Sequence, residues 1–148
     1  MGKIKILFVS YDNGVRSQMA EAWVNHLYGD KFDAHSAGIS PAKSVNPLAV
    51  KVMEERGIDI SMKKTRSVFD IYKSSASFSY IITVCDQANA EKCPVFLGLV
   101  KQFHWDFPNV SIMDGPEAEI IDKLRSICDS IRERIVSWCD EEYRSLNP

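Results

Sequence analysis

The chain has 148 residues, enough for one domain spanning 1–148 that buries about two thirds of its extended surface without staples, and too few for two independent domains. Apolar residues make up 45% and charged residues 26%, and 18 Lys+Arg against 20 Asp+Glu leave a net charge of −2. These are globular values without the positive field that a general nucleic-acid or membrane-surface binder needs, although a small local anion site remains compatible with them.

Two lysines precede a short apolar run in Met1 to Ser10, but the run is shorter than a secretory signal and no small-residue cleavage site follows. No stretch approaches the ~20 apolar residues of a membrane span, so the expectation is a soluble, cytoplasmic protein. A monomer is the expected state. Four widely spaced cysteines do not form a disulfide framework; in a reducing compartment they read as thiols, core residues or redox groups.

In chain order, Ile4 to Val9 is the mostly apolar, partly β-branched run of a buried central strand. A loop from Ser10 to Arg16 follows. From Ser17, Met19, Ala20, Trp23, Val24 and Leu27 recur at helical spacing, with Gly29 as a stop. Phe32 to Ser36 predicts a second strand, and Asn46-Pro47 a cap and first helical position for a helix running to about Arg56 and ended by Gly57. Ser67 to Ser74 reads as a short helix, and Tyr80 to Val84 as the most β-like run, with Cys85 at its carboxyl end. Val100 to Trp105 is a fourth strand. Pro116 to Tyr143 sets Ile121, Leu124, Cys128, Ile131, Ile135 and Trp138 on one face of a long closing helix.

Alternating strands and helices without a linker or repeat predict an α/β fold of one domain: a four-stranded parallel sheet with helices on both faces. Such sheets bind ligands beyond the carboxyl ends of their strands, which brings Ser10, Cys85 and the segment from Trp105 to Val110 to one rim. The octapeptide Ser10-Tyr11-Asp12-Asn13-Gly14-Val15-Arg16-Ser17 lies between a strand and a helix N-terminus, where backbone N–H groups and the helix dipole bind a tetrahedral oxyanion and Arg16 adds a bidentate clamp. The plainer alternative is a turn at Asp12-Asn13-Gly14 with a solvated Arg16. That explains the glycine, but not an arginine six residues after a hydroxyl at a strand end.

The stretch from Ser10 through Arg16-Ser17-Gln18-Met19-Ala20-Glu21-Ala22 resembles the phosphate-binding loop, Cys, five residues, Arg, Ser, of the low-molecular-weight tyrosine phosphatases and the related thioredoxin-coupled arsenate reductases. The likeness continues through Ser36-Ala37-Gly38, Val45 to Val50, Gly57 to Ser61, Thr83-Val84-Cys85-Asp86, Cys93-Pro94-Val95-Phe96 and His104-Trp105, covering nearly the whole chain. The cysteine pair after the third strand is similar to the reductase branch, and the Asp-Pro-Tyr segment of the phosphatase branch is absent. The resemblance implies that Tyr11, Asp12, Asn13, Gly14, Val15, Arg16 and Ser17 bind arsenate or phosphate. It further implies a loop nucleophile at position 10, with Cys85 and Cys93 as the second and third members of a cysteine relay. Thioredoxin is then the external reductant, and no bound cofactor or metal is required.

The chain departs from that pattern in three places. Position 10 is serine, whose hydroxyl stays protonated and forms no disulfide, so the chain as written is expected to bind oxyanion without reducing it. Retained Cys85 and Cys93 suggest an engineered Cys-to-Ser change, a natural pseudoenzyme being the alternative. Asn109 falls where the resemblance expects an aspartic acid that protonates the departing oxygen, and an amide cannot supply that proton; Asp106 is a surrogate at best. Cys85 and Cys93 are separated by seven residues, one more than the resemblance leads one to expect.

The other residues have plain structural readings. Cys128 and Cys139 lie about three helical turns apart and read as core residues, as do Trp23, Trp105 and Trp138. His26, His35 and His104 show no metal-binding spacing. Asn13, Glu21 and Ser36 resemble cation-holding positions, but loop and helix-start hydrogen bonding explains them. Two rival functions remain at this point: a phosphomonoester phosphatase and a non-catalytic oxyanion binder.

Overall fold

The opening apolar run becomes the central strand β1 (Ile4–Ser10) in a computed structural model that describes residues 2–74, 76–86, 100–110 and 113–146. The elements that follow are α1 (Arg16–Tyr28), β2 (Phe32–Gly38), α2 (Pro47–Glu55), α3 (Val68–Lys73), β3 (Tyr80–Thr83), β4 (Lys101–His104) and α4 (Glu117–Leu146). Among the described residues the strands form one parallel sheet in the order β2-β1-β3-β4. The chain leaves β1 for one neighbour and later returns to its other side. This reversal opens a crevice at the carboxyl end of β1.

Alternation along β1 decides which helix covers which face. Ile6 and Phe8 point into the larger core with Met19, Trp23, Val52, Leu124 and Ile131, so α1, α2 and α4 share that side. Leu7 and Val9 join Ala37 and Ile81 against Val68 and Ile71 of α3 on the other face. The expected parallel sheet with helices on both faces is therefore what the chain forms. Every predicted element is present, with ends shifted by a few residues. β2 runs on to Gly38 because Gly38 N–H donates to Arg66 O at 2.8 Å, a partner no local pattern reveals.

Local chemistry sets the helix ends. Asn46 Oδ1 accepts Leu48 N–H at 2.9 Å ahead of Pro47, and Ser67 Oγ accepts Phe69 N–H at 3.1 Å. Gly29 ends α1 in a right-handed conformation rather than the left-handed one of a typical glycine stop; its role is steric, because a Cβ there would lie 2.3 Å from Asn25 O. At its other end α1 follows Val15 with no side-chain cap and no acidic residue in its first turn. That uncapped N-terminus faces the crevice.

The predicted inner face of α4 is buried as expected. Trp138 packs its ring against Tyr80, Phe103, Trp105 and Phe32, with centroids 5.0–6.1 Å apart. Cys128 and Cys139 are fully buried, and burial pushes the Cys139 thiol up to about 12 and raises that of Cys128, so both are core residues rather than nucleophiles. Toward its carboxyl end α4 receives two phenols: Tyr28 Oη donates to Asp140 at 3.1 Å and Tyr80 Oη to Glu142 at 2.7 Å. Burial and then these carboxylates push both phenols up to about 12.

Candidate functional site

Ser10 is the last residue of β1, fully buried and opposite Gly38 in register. Its hydroxyl lies 2.6 Å from Ser17 Oγ and accepts Asn13 N–H at 3.1 Å. Asn13 sits at φ +56°, a left-handed conformation that asparagine tolerates better than most residues. Its side chain is fully engaged. Nδ2 donates to Ser17 Oγ at 2.7 Å, while Oδ1 accepts Gln18 Nε2 at 3.1 Å and Arg66 N–H at 2.9 Å. Gln18 Nε2 also donates to Lys64 O at 3.1 Å, tying the loop to the segment before α3. On the strand side, Gly38 lets β2 approach closely, since a Cβ there would come within 2.9 Å of Asn13 N. The loop from Ser10 to Ser17 is thus a closed, internally bonded cradle.

Arg16 closes the cradle from α1. Only 2% of it is exposed, and its Nη1 donates to Phe107 O at 3.3 Å. Phe107 belongs to a segment laid along the residues after β3: Trp105 N–H donates to Thr83 O at 2.9 Å, Phe107 N–H to Cys85 O at 3.4 Å, and Asn109 N–H to Asp86 Oδ2 at 3.2 Å. Cys85 is fully buried within this pairing. The structure therefore brings Ser10, Arg16, Cys85 and the Asn109 backbone to the rim that the strand pattern predicted. Cys93 lies outside the described residues.

The Asp106 carboxylate is paired with His104. Its Oδ1 is 3.0 Å from His104 Nε2, and both residues line a cleft of about 440 Å³ with Glu133 and Arg134 of α4. The other ring nitrogen, His104 Nδ1, lies 2.8 Å from Thr83 Oγ1. The carboxylate beside Asn109 is instead Asp86, only 5% exposed, which has no role in the sequence pattern beyond its place after Cys85. Gln18 and Arg66 were likewise invisible as loop supports. Gln18 stands in the strongly patterned start of α1, and Arg66 acts only through its backbone.

The residues that resemble cation-holding positions are engaged within the chain. Ser36 Oγ donates to Glu21 Oε1 at 3.2 Å, and Lys63 Nζ is 3.0 Å from Glu21 Oε2. Among the described residues no group of three or more His, Cys, Asp or Glu side chains could hold a metal ion, and no helix is long and apolar enough to cross a membrane.

A strand, a tight loop of backbone amides and a buried arginine at an uncapped helix N-terminus define the class: an α/β protein with a tetrahedral-oxyanion cradle of the Cys, five residues, Arg, Ser type, serine standing first here. The sequence profile of the low molecular weight phosphotyrosine protein phosphatase family matches residues 5–146, and the chain belongs to that family. It is 39% identical over 140 residues to the arsenate reductase of Bacillus licheniformis, spanning 95% of this chain and 98% of that one. Among solved structures it is similar to an arsenate reductase in the phosphate-binding state, with TM-score 0.71, 25% identity, and 93% and 98% of the two chains covered. It is also similar to a thioredoxin-dependent arsenate reductase of Corynebacterium glutamicum, with TM-score 0.61, 26% identity, and 90% and 62% covered.

Proposed function

We propose that this chain carries the oxyanion cradle and relay thiols of an arsenate reductase, and that the serine at position 10 stops it short of reduction. Ser10 supplies the decisive observation: its buried Oγ sits between Ser17 Oγ and Asn13 N–H, at the mouth of an uncapped helix. A thiol in that position would be stabilised as thiolate by both contacts and by the helix dipole. A hydroxyl is not activated there, because neither contact is a base able to take its proton. Arsenate, or phosphate of the same shape, binds the amides of residues 11–17, with Arg16 across its oxygens.

With a thiol at position 10, the thiolate attacks arsenic and one oxygen leaves as water after protonation. Cys85 then attacks that sulfur, a disulfide forms, and the sulfur–arsenic bonding pair stays on arsenic, which departs as arsenite. Two thiols are oxidised as arsenic gains two electrons. Cys93 takes over the disulfide and thioredoxin, as external dithiol, reduces it. The cell's cytoplasm supplies that reducing setting, and the working form is a monomer. Asn109 stands in the acid's place, and its amide lowers proton delivery by roughly 10²–10⁴ in rate.

The test is arsenate-dependent NADPH oxidation with thioredoxin and thioredoxin reductase supplied. Turnover is expected from Ser10→Cys, and neither from the unchanged chain nor from Ser10→Cys combined with Cys85→Ala. Aryl phosphate cleavage by Ser10→Cys without arsenate turnover would overturn the assignment in favour of a phosphatase. Arsenate binding without turnover by Ser10→Cys would leave a binding protein.

A further inference from the structure

We infer that the Asp12 carboxylate shifts the cradle's preference away from doubly charged and toward singly charged oxyanions, an inference that rests on the oxyanion reading above. The loop contains one acidic residue, and its carboxylate is turned onto the loop's own amides. Asp12 Oδ1 accepts Gly14 N–H at 3.0 Å, and a Cβ built on Gly14 would meet Oδ1 at 3.4 Å and Oδ2 at 3.7 Å, so both oxygens lie over Gly14. The main chain of Asp12 is fixed as well, its carbonyl accepting Ala42 N–H at 2.9 Å. A carboxylate thus occupies one of the donors that an oxyanion would use, and sets a negative charge at the edge of the cradle.

An arriving anion must compete with that charge. The repulsion scales with the charge of the ligand: where it weakens a monoanion roughly threefold, it weakens a dianion roughly tenfold. Arg16 still attracts both, as do Lys43, Lys64 and Arg66 on the segments hydrogen bonded to the loop, while Asp86 after β3 adds to the repulsion. The cations pull harder on a dianion, and Asp12 takes part of that advantage away. Phosphate and arsenate lose their second proton near neutral pH, so Asp12 tilts the balance toward their protonated, singly charged form. That is also the form that brings its own proton to a site where Asn109 has none to give.

Titration calorimetry at low ionic strength, with inorganic phosphate and sulfate at pH 6 and pH 8, tests this on the unchanged chain and on Asp12→Asn. Asparagine keeps an acceptor for Gly14 N–H and removes only the charge. Sulfate is a dianion at both pH values and so controls for titration of the protein. On going from pH 6 to pH 8, phosphate affinity relative to sulfate should rise less, or fall more, in the unchanged chain than in Asp12→Asn. Asp12→Asn should bind sulfate, and phosphate at pH 8, roughly tenfold tighter, with a smaller gain for phosphate at pH 6. Equal or weaker sulfate binding by a folded Asp12→Asn would overturn the inference alone. Absence of binding to either protein, or binding that survives Arg16→Ala, would overturn the cradle assignment together with it. Should Asp12→Asn not fold, Asp12→Ser gives the same comparison, with the hydroxyl as acceptor.

Discussion

The loop from Ser10 to Ser17 and the segment 105–109 border the same crevice but are held by different means. The loop is bonded mainly by its own side chains: Asn13, Ser17 and Gln18 close on one another within five residues of chain. The segment is held by backbone donors to residues 83–85 and by the Asp86 carboxylate, more than twenty residues away. The first arrangement fixes geometry before a ligand arrives and is costly to disturb. The second yields to changes in whatever packs against it, which suits a part of the site that must shift during a thiol relay.

The sharpest way to break this contrast is Asn13→Ala. It leaves a left-handed residue without asparagine's tolerance and removes three hydrogen bonds, two of them buried, so a loss of about 3–5 kcal/mol in denaturant unfolding is expected, together with loss of oxyanion binding. Gly38→Ala should cost about 1–3 kcal/mol, because its new methyl group collides with backbone atoms of Asp12 and Asn13 rather than with a movable side chain. A weakened phosphate affinity in calorimetry should accompany it. Asp86→Ala should cost about 1–2 kcal/mol and leave the loop intact; the expected signature is faster alkylation of Cys85 with phosphate binding retained and somewhat tighter, because a repelling carboxylate is gone. Thr83→Val removes the hydroxyl's contacts to His104 Nδ1 and Phe103 O and should cost about 0.5–1.5 kcal/mol, with the effect confined to the exchange protection of β4 and segment 105–109.

Smallest is a pH effect remote from both regions. Tyr28 and Tyr80 have folded-state phenols raised from about 10 to about 12, so the stability they add is complete below pH 10 and disappears as pH climbs through 12. Tyr28 meets its carboxylate at the surface, which keeps its share of the effect slight, whereas Tyr80 is buried against Trp138. Ultraviolet titration should find two tyrosines ionising later than the others, and Asp140→Asn should advance Tyr28 alone.

The sheet was legible because the apolar runs at Ile4 to Val9 and Tyr80 to Val84 are long, β-rich and bounded by polar turns. The cradle was legible because its determinants lie within eight consecutive residues. Contacts that cross the chain were not. Arg16 meets Phe107 O over 91 residues, and the partner of Asn109 is a carboxylate 23 residues earlier. A backbone carbonyl has no residue signature, so periodicity and motif spacing are blind to such partners. Asp106 reads from the sequence as a solvated loop carboxylate, with a surrogate acid the weaker option. Its bond to His104 assigns it to the α4 cleft instead.

Cys85 has no solvent-accessible surface, and this turns its chemistry into a timepiece. A small electrophile in solution cannot touch the sulfur until the residues covering it part. Labelling should therefore accelerate with reagent concentration only up to a ceiling, and the height of that ceiling is the frequency at which the crevice opens. Measured with and without phosphate, the same plateau would report whether an occupied cradle stills the neighbouring strand end or sets it in motion.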